Sequence, residues 1–304
     1  MNILSLFDGM SCGRIAAERA GLPVTNYYAS EVDKHAIKVS QTNWPDIIHL
    51  GDVTKWKEWP IDWASIDLLI GGSPCQGFSF AGKQLAFDDP RSALFFVYVD
   101  ILNHIRSVNP KVKFMLENVK MKNEHLQVIT EYLGVEPVFI NSNLVSAQNR
   151  QRYYWCNWSV IAPLNREVYV RDILDISANN YDVKTVVFNN RVKGVTENDR
   201  GYRYNKGDKA KSGISELGRI LKPSAKFTDA LTTSHSPKIA LNSDTSKLNY
   251  RELNVVECER IQTVPDGYTK CLSPSQAKKA LGNGWTVDVI AHIFRQMLKP
   301  PHQQ

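Results

Sequence analysis

Cys75 stands in the stretch Gly71-Gly72-Ser73-Pro74-Cys75-Gln76-Gly77-Phe78-Ser79, directly after the apolar run Ile66-Asp67-Leu68-Leu69-Ile70. The run has the length and character of a buried strand, and a small-residue turn closed by a proline presents one thiol in a fixed direction. A lone cysteine more often packs as a small hydrophobe. A thiolate held at a strand end, however, is a nucleophile, and the surrounding segments favour that reading. The chain opens with Asn2-Ile3-Leu4-Ser5-Leu6-Phe7, then Asp8-Gly9-Met10-Ser11-Cys12-Gly13, then Arg14-Ile15-Ala16-Ala17-Glu18-Arg19-Ala20. That order predicts a strand, a glycine-containing turn and a helix, the usual entrance to a nucleotide-type ligand site. Glu31, after Tyr27-Tyr28-Ala29-Ser30, falls at a second strand end where a ribose diol needs an acceptor, and Gly51-Asp52-Val53-Thr54 offers another carboxylate near the same edge. Each of these signals is weak alone, since such junctions and solvated acids occur in any α/β chain.

Together and in this order they resemble the cytosine-5 DNA methyltransferase family, from residue 3 to about residue 298. Phe7-Asp8-Gly9 is similar to the family's first cofactor motif, Glu31 to its ribose acid, Asp52 to its adenine contact and Ser73-Pro74-Cys75-Gln76 to its catalytic turn. Glu117-Asn118-Val119 resembles the second catalytic motif, and Gln148-Asn149-Arg150-Gln151-Arg152 the basic motif that supports the target base. Arg251-Glu252-Leu253, with Glu257, Arg260-Ile261-Gln262 and Pro265, resembles the motif that anchors the recognition domain. Leu281-Gly282-Asn283-Gly284-Trp285-Thr286-Val287 resembles the closing cofactor motif. The flavour is mixed. Phe7-Asp8-Gly9 and Trp285-Thr286-Val287 resemble the animal de novo enzymes, whereas the compact length and Gln148 to Arg152 resemble bacterial and phage ones. Ser11-Cys12-Gly13 departs from the usual second glycine pair, and Gly284-Trp285 from the usual Ser-Val.

The resemblance implies S-adenosylmethionine as cofactor, double-stranded DNA as substrate, and a specific chemistry. Cys75 adds to carbon 6 of a cytosine rotated out of the duplex, so that carbon 5 can take a methyl group. Glu117 serves ring nitrogen 3 as a neutral acid in a dry pocket, and Asn118 fixes the local turn or the neighbouring proline loop. Arg150 and Arg152 alternate along an extended segment and are expected on one side, one on the cytosine carbonyl and the other on a phosphate or the catalytic loop. Residues 76 to 92 supply a closing loop, and the helix beginning there brings Leu94 to the cofactor. The expected cofactor contacts are Phe7, Asp8, Gly9, Ser11, Glu31, Val32, Asp52, Val53, Leu94, Asn283 and Trp285. Thr232-Thr233 is followed by Ser234-His235, not by the guanine-reading arginine of the de novo enzymes, so a CpG preference is not implied.

Composition bounds the rest. A chain of 304 residues buries one large core and carries a smaller lobe. The five cysteines form no CxxC pair, which speaks against a metal site or a disulfide framework and for a reducing, cytoplasmic setting, while the resemblance implies a bacterial or phage-encoded enzyme. Neither a leader nor a membrane span is expected. Of the formal charge of +6, the stretch from Lys184 to Lys226 holds 11 Lys or Arg against 4 acids, and it is rich in Gly, Asn and aromatic residues. It reads as short strands and long loops suited to a phosphate backbone. The expected fold is a doubly wound, mostly parallel α/β sheet. Residues 1–165 form the catalytic and cofactor-binding domain, 166–248 a loop-rich target-recognition domain, and 249–304 a C-terminal return to the catalytic domain. A cognate restriction endonuclease is a candidate partner. Two other readings stay open, a tRNA or RNA cytosine-5 methyltransferase and a DNA-binding homologue without turnover.

Overall fold

The computed structural model describes residues 1–73, 90–175, 182–187, 192–198, 201–206, 219–232, 237–243 and 247–298. Pro74, Cys75, residues 76–89 of the closing loop expected over 76–92, and the Thr233-Ser234-His235 run fall outside them; residues 90–92 belong to a helix. The chain divides into two compact units, residues 1–141, 151–164 and 284–304 in the first and 142–150 and 165–283 in the second.

The first unit is built on a seven-stranded sheet of order β3-β2-β1-β4-β5-β8-β6. Its strands are β1 (Asn2–Leu6), β2 (Asn26–Ser30), β3 (Ile48–His49), β4 (Ile66–Gly71), β5 (Lys113–Val119), β6 (Pro137–Asn141) and β8 (Gln151–Cys156). β3, β2, β1, β4 and β5 run parallel, and β8 enters antiparallel between β5 and β6. Its helices are α1 (Cys12–Ala20), α2 (Lys34–Asn43), α3 (Pro90–Val108), α4 (Asn123–Leu133) and α8 (Val287–Met297). In β4, Ile66, Leu68, Leu69 and Ile70 are all fully buried. A strand apolar on successive residues must be covered on both faces, as parallel strands are. Leu69, with Leu4, Leu6, Phe114 and Leu116 from its neighbours, packs in one cluster with Phe95, Leu102 and Ile105 of α3 and Ile129 and Leu133 of α4. Ile70 points the other way, onto Gly13 of α1, where an added Cβ would stand 2.6 Å from Ile70 Cδ1. Helices therefore cover both sides of the sheet, as expected of a doubly wound fold. The amphipathic segment from Asp288 to Arg295 forms most of α8 and packs on α1, with Arg19 Nη1 2.9 Å from Asp288 Oδ1. Trp59 and Trp63 stack at 6.2 Å beside His104 of α3, an aromatic cluster without a periodic signature in the sequence.

The second unit holds β7 (Gln148–Asn149), α5 (Val170–Ile173), β9 (Lys184–Val187), β10 (Val192–Asn198), β11 (Gly201–Lys206), β12 (Arg219–Leu221), β13 (Thr228–Asp229), β14 (Lys238–Ala240), β15 (Lys247–Glu252), α6 (Val255–Ile261) and α7 (Pro274–Asn283). Six of its strands form a sheet of order β10-β11-β12-β14-β15-β9, and β13 pairs with β7. The described residues of the basic insert include the short strands β9, β10, β11 and β12. A buried ion pair ties the sheet to α6. Arg251 at the end of β15 meets both oxygens of Glu257 at 2.7 Å, and Glu257 also accepts the Asn254 N–H at 2.8 Å in a capping box. The stretch 249–283 packs in this unit, and the chain re-enters the first unit at Gly284. The reason is local: β15 pairs with β14 and β9, and Arg251 draws α6 to the same sheet.

Candidate active site

In a parallel sheet whose order reverses beside β1, the loops after the strands open a crevice at their carboxyl ends. Four of the expected motifs sit there. Phe7-Asp8-Gly9 follows β1, Glu31 follows β2, Gly72-Ser73 follows β4, and Glu117-Asn118-Val119 closes β5.

The turn after β1 is conformationally demanding. Phe7, Gly9 and Ser11 have φ of 55°, 61° and 62°, and only glycine takes that region without strain. Interactions from all sides hold it. Gly9 N donates to Glu31 Oε2 at 2.8 Å, while Glu31 Oε1 accepts the N–H groups of Val32 and Asp33, each at 2.8 Å. Tyr27 Oη donates to Asp8 Oδ1 at 2.8 Å, Ser11 Oγ donates to Asp8 Oδ2, and Ser11 Oγ lies 2.6 Å from Ser40 Oγ on α2. Asp8 is buried, and burial pushes its carboxyl up to about 6 against the lowering effect of the Ser11 and Tyr27 hydroxyls. Asp8 thus braces the turn from inside. Glu31 stays partly exposed with its carboxylate anchored by three backbone N–H groups, and the next residue, Val32, is 71% exposed. An anchored acid beside an uncovered apolar side chain suits a ribose diol with a flat base next to it. Asp52 is exposed, accepts Thr54 N and Oγ1 at 2.9 Å and is held below the usual carboxylate range by the Thr54 N–H. Its neighbour Val53 is buried in the core, so its side chain supports the site from below. Leu94, on α3, is partly buried against the same core.

The motifs expected to be catalytic meet at the ends of β4 and β5. Glu117 is buried, and its Oε1 lies 2.7 Å from Arg152 Nε. Its Oε2 accepts a hydrogen bond from Trp285 Nε1 at 3.2 Å. Asn118, also buried, donates from Nδ2 to Ser73 Oγ at 3.4 Å and accepts Val119 N at 2.8 Å. It therefore ties the last described residue before Pro74 and Cys75 to the neighbouring strand.

The two arginines of the basic motif do not lie on one continuous strand. The strand breaks at Arg150, whose N–H turns back to the Gln148 carbonyl at 3.1 Å, so the alternation expected of an extended run is lost. Arg152 lies in the first unit on Glu117; Arg150 lies in the second, buried, with Nη1 donating to the carbonyls of Leu231 at 3.3 Å and Gly282 at 3.4 Å. Gln148, fully buried, joins that frame by donating to Ile261 O and Gln262 Oε1 at 3.2 Å and accepting Leu231 N at 2.9 Å. Asn283 ends α7 in the same unit and is exposed.

Sequence reasoning missed Tyr27 and Ser40, whose hydroxyls reach Asp8 and Ser11 in the turn after β1, and the bond from Trp285 to Glu117. A tyrosine inside an apolar strand gives no sign of where its hydroxyl points, and residues 117 and 285 are too distant in sequence for any pattern to link them. Among the described residues no group of His, Cys, Asp and Glu could hold a metal ion, and no helix is long and apolar enough to cross a membrane.

A model of C-5 cytosine-specific DNA methylases matches residues 1–299. The type II methyltransferase M.HhaI of Haemophilus parahaemolyticus is 29% identical over 96% of this chain and 93% of its own length. M1.ScrFI of Lactococcus lactis subsp. cremoris is 28% identical over 98% of this chain and 78% of its own. Among solved structures, the Entamoeba histolytica methyltransferase EhMeth superposes with a TM-score of 0.72 at 16% identity, covering 99% of both chains, a likeness of fold.

Proposed function

The chain belongs to the C-5 cytosine-specific DNA methylase family, and from that premise we propose that it methylates carbon 5 of a cytosine in double-stranded DNA through a covalent adduct on Cys75. The observation that supports this most is the Glu117–Arg152 pair at the end of β5, one parallel strand away from the turn leading to Cys75. A nucleophile carried in the segment after one strand and an acid at the end of the next suit attack on the face of one ring and a hydrogen bond at its edge.

The Cys75 thiolate adds to carbon 6, and the electron pair displaced toward the ring gives carbon 5 its nucleophilic character. Glu117 hydrogen-bonds or protonates ring nitrogen 3 as that charge develops, with Arg152 placing the carboxyl group. Bound S-adenosylmethionine supplies the electrophilic methyl group. When carbon 5 then loses its proton to water or another base, the Cys75–carbon 6 bond breaks and the thiolate leaves. Asn118 holds Ser73, and through it the approach of the catalytic turn. A cytosine stacked in a duplex cannot offer its face to a thiol, so the target must be rotated out.

The residues present fit the cofactor. Gly9, with Phe7 and Ser11, shapes the turn, Glu31 offers an anchored carboxylate to a diol, Val32 offers an uncovered apolar surface, Asp52 offers an exposed acceptor, and Trp285 closes the wall. Leu94 completes the set proposed within the first unit. Target reading is assigned to residues 166–248, where the basic stretch from Lys184 to Lys226 lies, and Arg150 is assigned to the frame beneath that lobe.

Labelled S-adenosylmethionine offered with equimolar duplex DNA and tRNA tests the reading. Label on the duplex, at cytosines within one recurrent motif, is expected; label confined to tRNA would replace DNA by RNA as substrate. A cognate endonuclease, where one accompanies the chain, is expected to spare DNA methylated at that motif.

A further inference from the structure

Resting on the methyltransferase reading above, we propose that Trp285 is a positioning residue for Glu117, orienting the carboxyl group that meets the cytosine, beyond the wall it gives the cofactor. Trp285 and Glu117 are both buried, 8% and 7% exposed, and the indole Nε1–H points at Oε2 from 3.2 Å. Arg152 engages the other oxygen through Nε at 2.7 Å, while its Nη1 donates to the Gln151 carbonyl at 2.8 Å. A carboxyl group held by one donor on one oxygen can still turn about its own bond. A second donor, on the second oxygen and from a different element, fixes its plane.

The local sequence makes room for this bond. A Cβ at Gly72 would stand 2.9 Å from Trp285 Nε1 and 3.0 Å from Glu117 Oε2, so any other residue there would press on both partners. Gly72 is also the residue before Ser73 in the turn that leads to Cys75. At its far end the ring comes 3.5 Å from where a Cβ of Gly13 would lie, at the start of α1. The indole therefore spans from the cofactor helix to the catalytic acid. Oε2 has two in-plane directions, one accepting the indole N–H and the other able to carry the proton shared with ring nitrogen 3, so the indole bond and a bond to the base are compatible. Nothing in the reaction requires Trp285 to leave.

Trp285→Phe keeps the ring wall and removes the donor. Single-turnover methyl transfer to duplex DNA is expected to fall on the order of ten-fold, with S-adenosylmethionine affinity by calorimetry changed by less than about three-fold. Added to Glu117→Gln, the same change is expected to cost little more, because both act through one carboxyl group. Gly72→Ala, which crowds the same bond, is expected to show the same split, and retained cofactor binding certifies that each variant folds. An unchanged transfer rate in Trp285→Phe, a loss explained wholly by weaker cofactor binding, or full additivity with Glu117→Gln would overturn the proposal. Should the unaltered chain itself transfer no methyl group to DNA, the underlying reading fails first, and the two failures are told apart by that control.

Discussion

Arg152 and Glu117 form a diagonal pair across the antiparallel β5 and β8 strands. Glu117 lies opposite Tyr154 and Arg152 opposite Val119, so the two side chains share one face of the sheet and meet at 2.7 Å. The sheet register thus sets the placement of the acid, independently of the loop that carries the nucleophile.

Arg152→Ala leaves a buried carboxyl group without its cation. Removing one partner of such a pair is expected to lower unfolding free energy by roughly 3 kcal/mol, measured by urea denaturation, and to abolish most methyl transfer. Stability within error of the unaltered chain would mean that solvent reaches the pair freely.

Asp8 gives the first unit a pH signature. Its carboxyl is raised from 3.8 to about 6 in the folded chain, so the folded state keeps a proton that the unfolded state has already lost. The stability from this group is complete below pH 3.8 and is lost as pH rises through about 6. A shift of that size corresponds to ~3 kcal/mol. Asp8→Asn removes the titration while keeping an acceptor for Tyr27. Urea melts at pH 4 and pH 7.5 are expected to show the mutant gaining stability relative to the unaltered chain at the higher pH; parallel pH dependence in the two would contradict this.

Arg251→Ala should unfold the second unit more readily. Its guanidinium meets both oxygens of a fully buried Glu257, and the carboxylate left behind would keep the N–H groups of Asn254 and Asp175 but lose its cation. A loss of about 3–5 kcal/mol is expected, read as a lowered melting transition with S-adenosylmethionine binding kept. An unmoved transition would show that α6 does not depend on the pair.

Legibility in the sequence followed the strand ends. Phe7, Glu31, Ser73 and Glu117 each close an apolar run, so their arrival at one sheet edge could be anticipated before any coordinates. The helix from Asp288 to Arg295 announced itself by its amphipathic spacing. The partners of Arg150 and Arg152 could not be read, because alternation along a strand assumes the strand continues, and a backward turn at residue 150 breaks it. Nor could the packing of residues 249–283 on the second sheet be read, since it depends on which strand β15 pairs with and on where the Arg251 side chain finds its acid. The bond from Trp285 to Glu117 is a tertiary meeting with no local trace.

The proposed mechanism rests on a bond between Cys75 and carbon 6 of cytosine. A duplex carrying 5-fluorocytosine at the methylated position tests it directly, because carbon 5 then holds fluorine where it would shed a proton, and the adduct cannot resolve. With S-adenosylmethionine present, the unaltered chain is predicted to give a protein–DNA complex that survives denaturation, and Cys75→Ser to give none while still binding DNA. Denaturation-resistant complex with Cys75→Ser, or none with an unaltered chain that methylates ordinary DNA, would contradict the covalent mechanism.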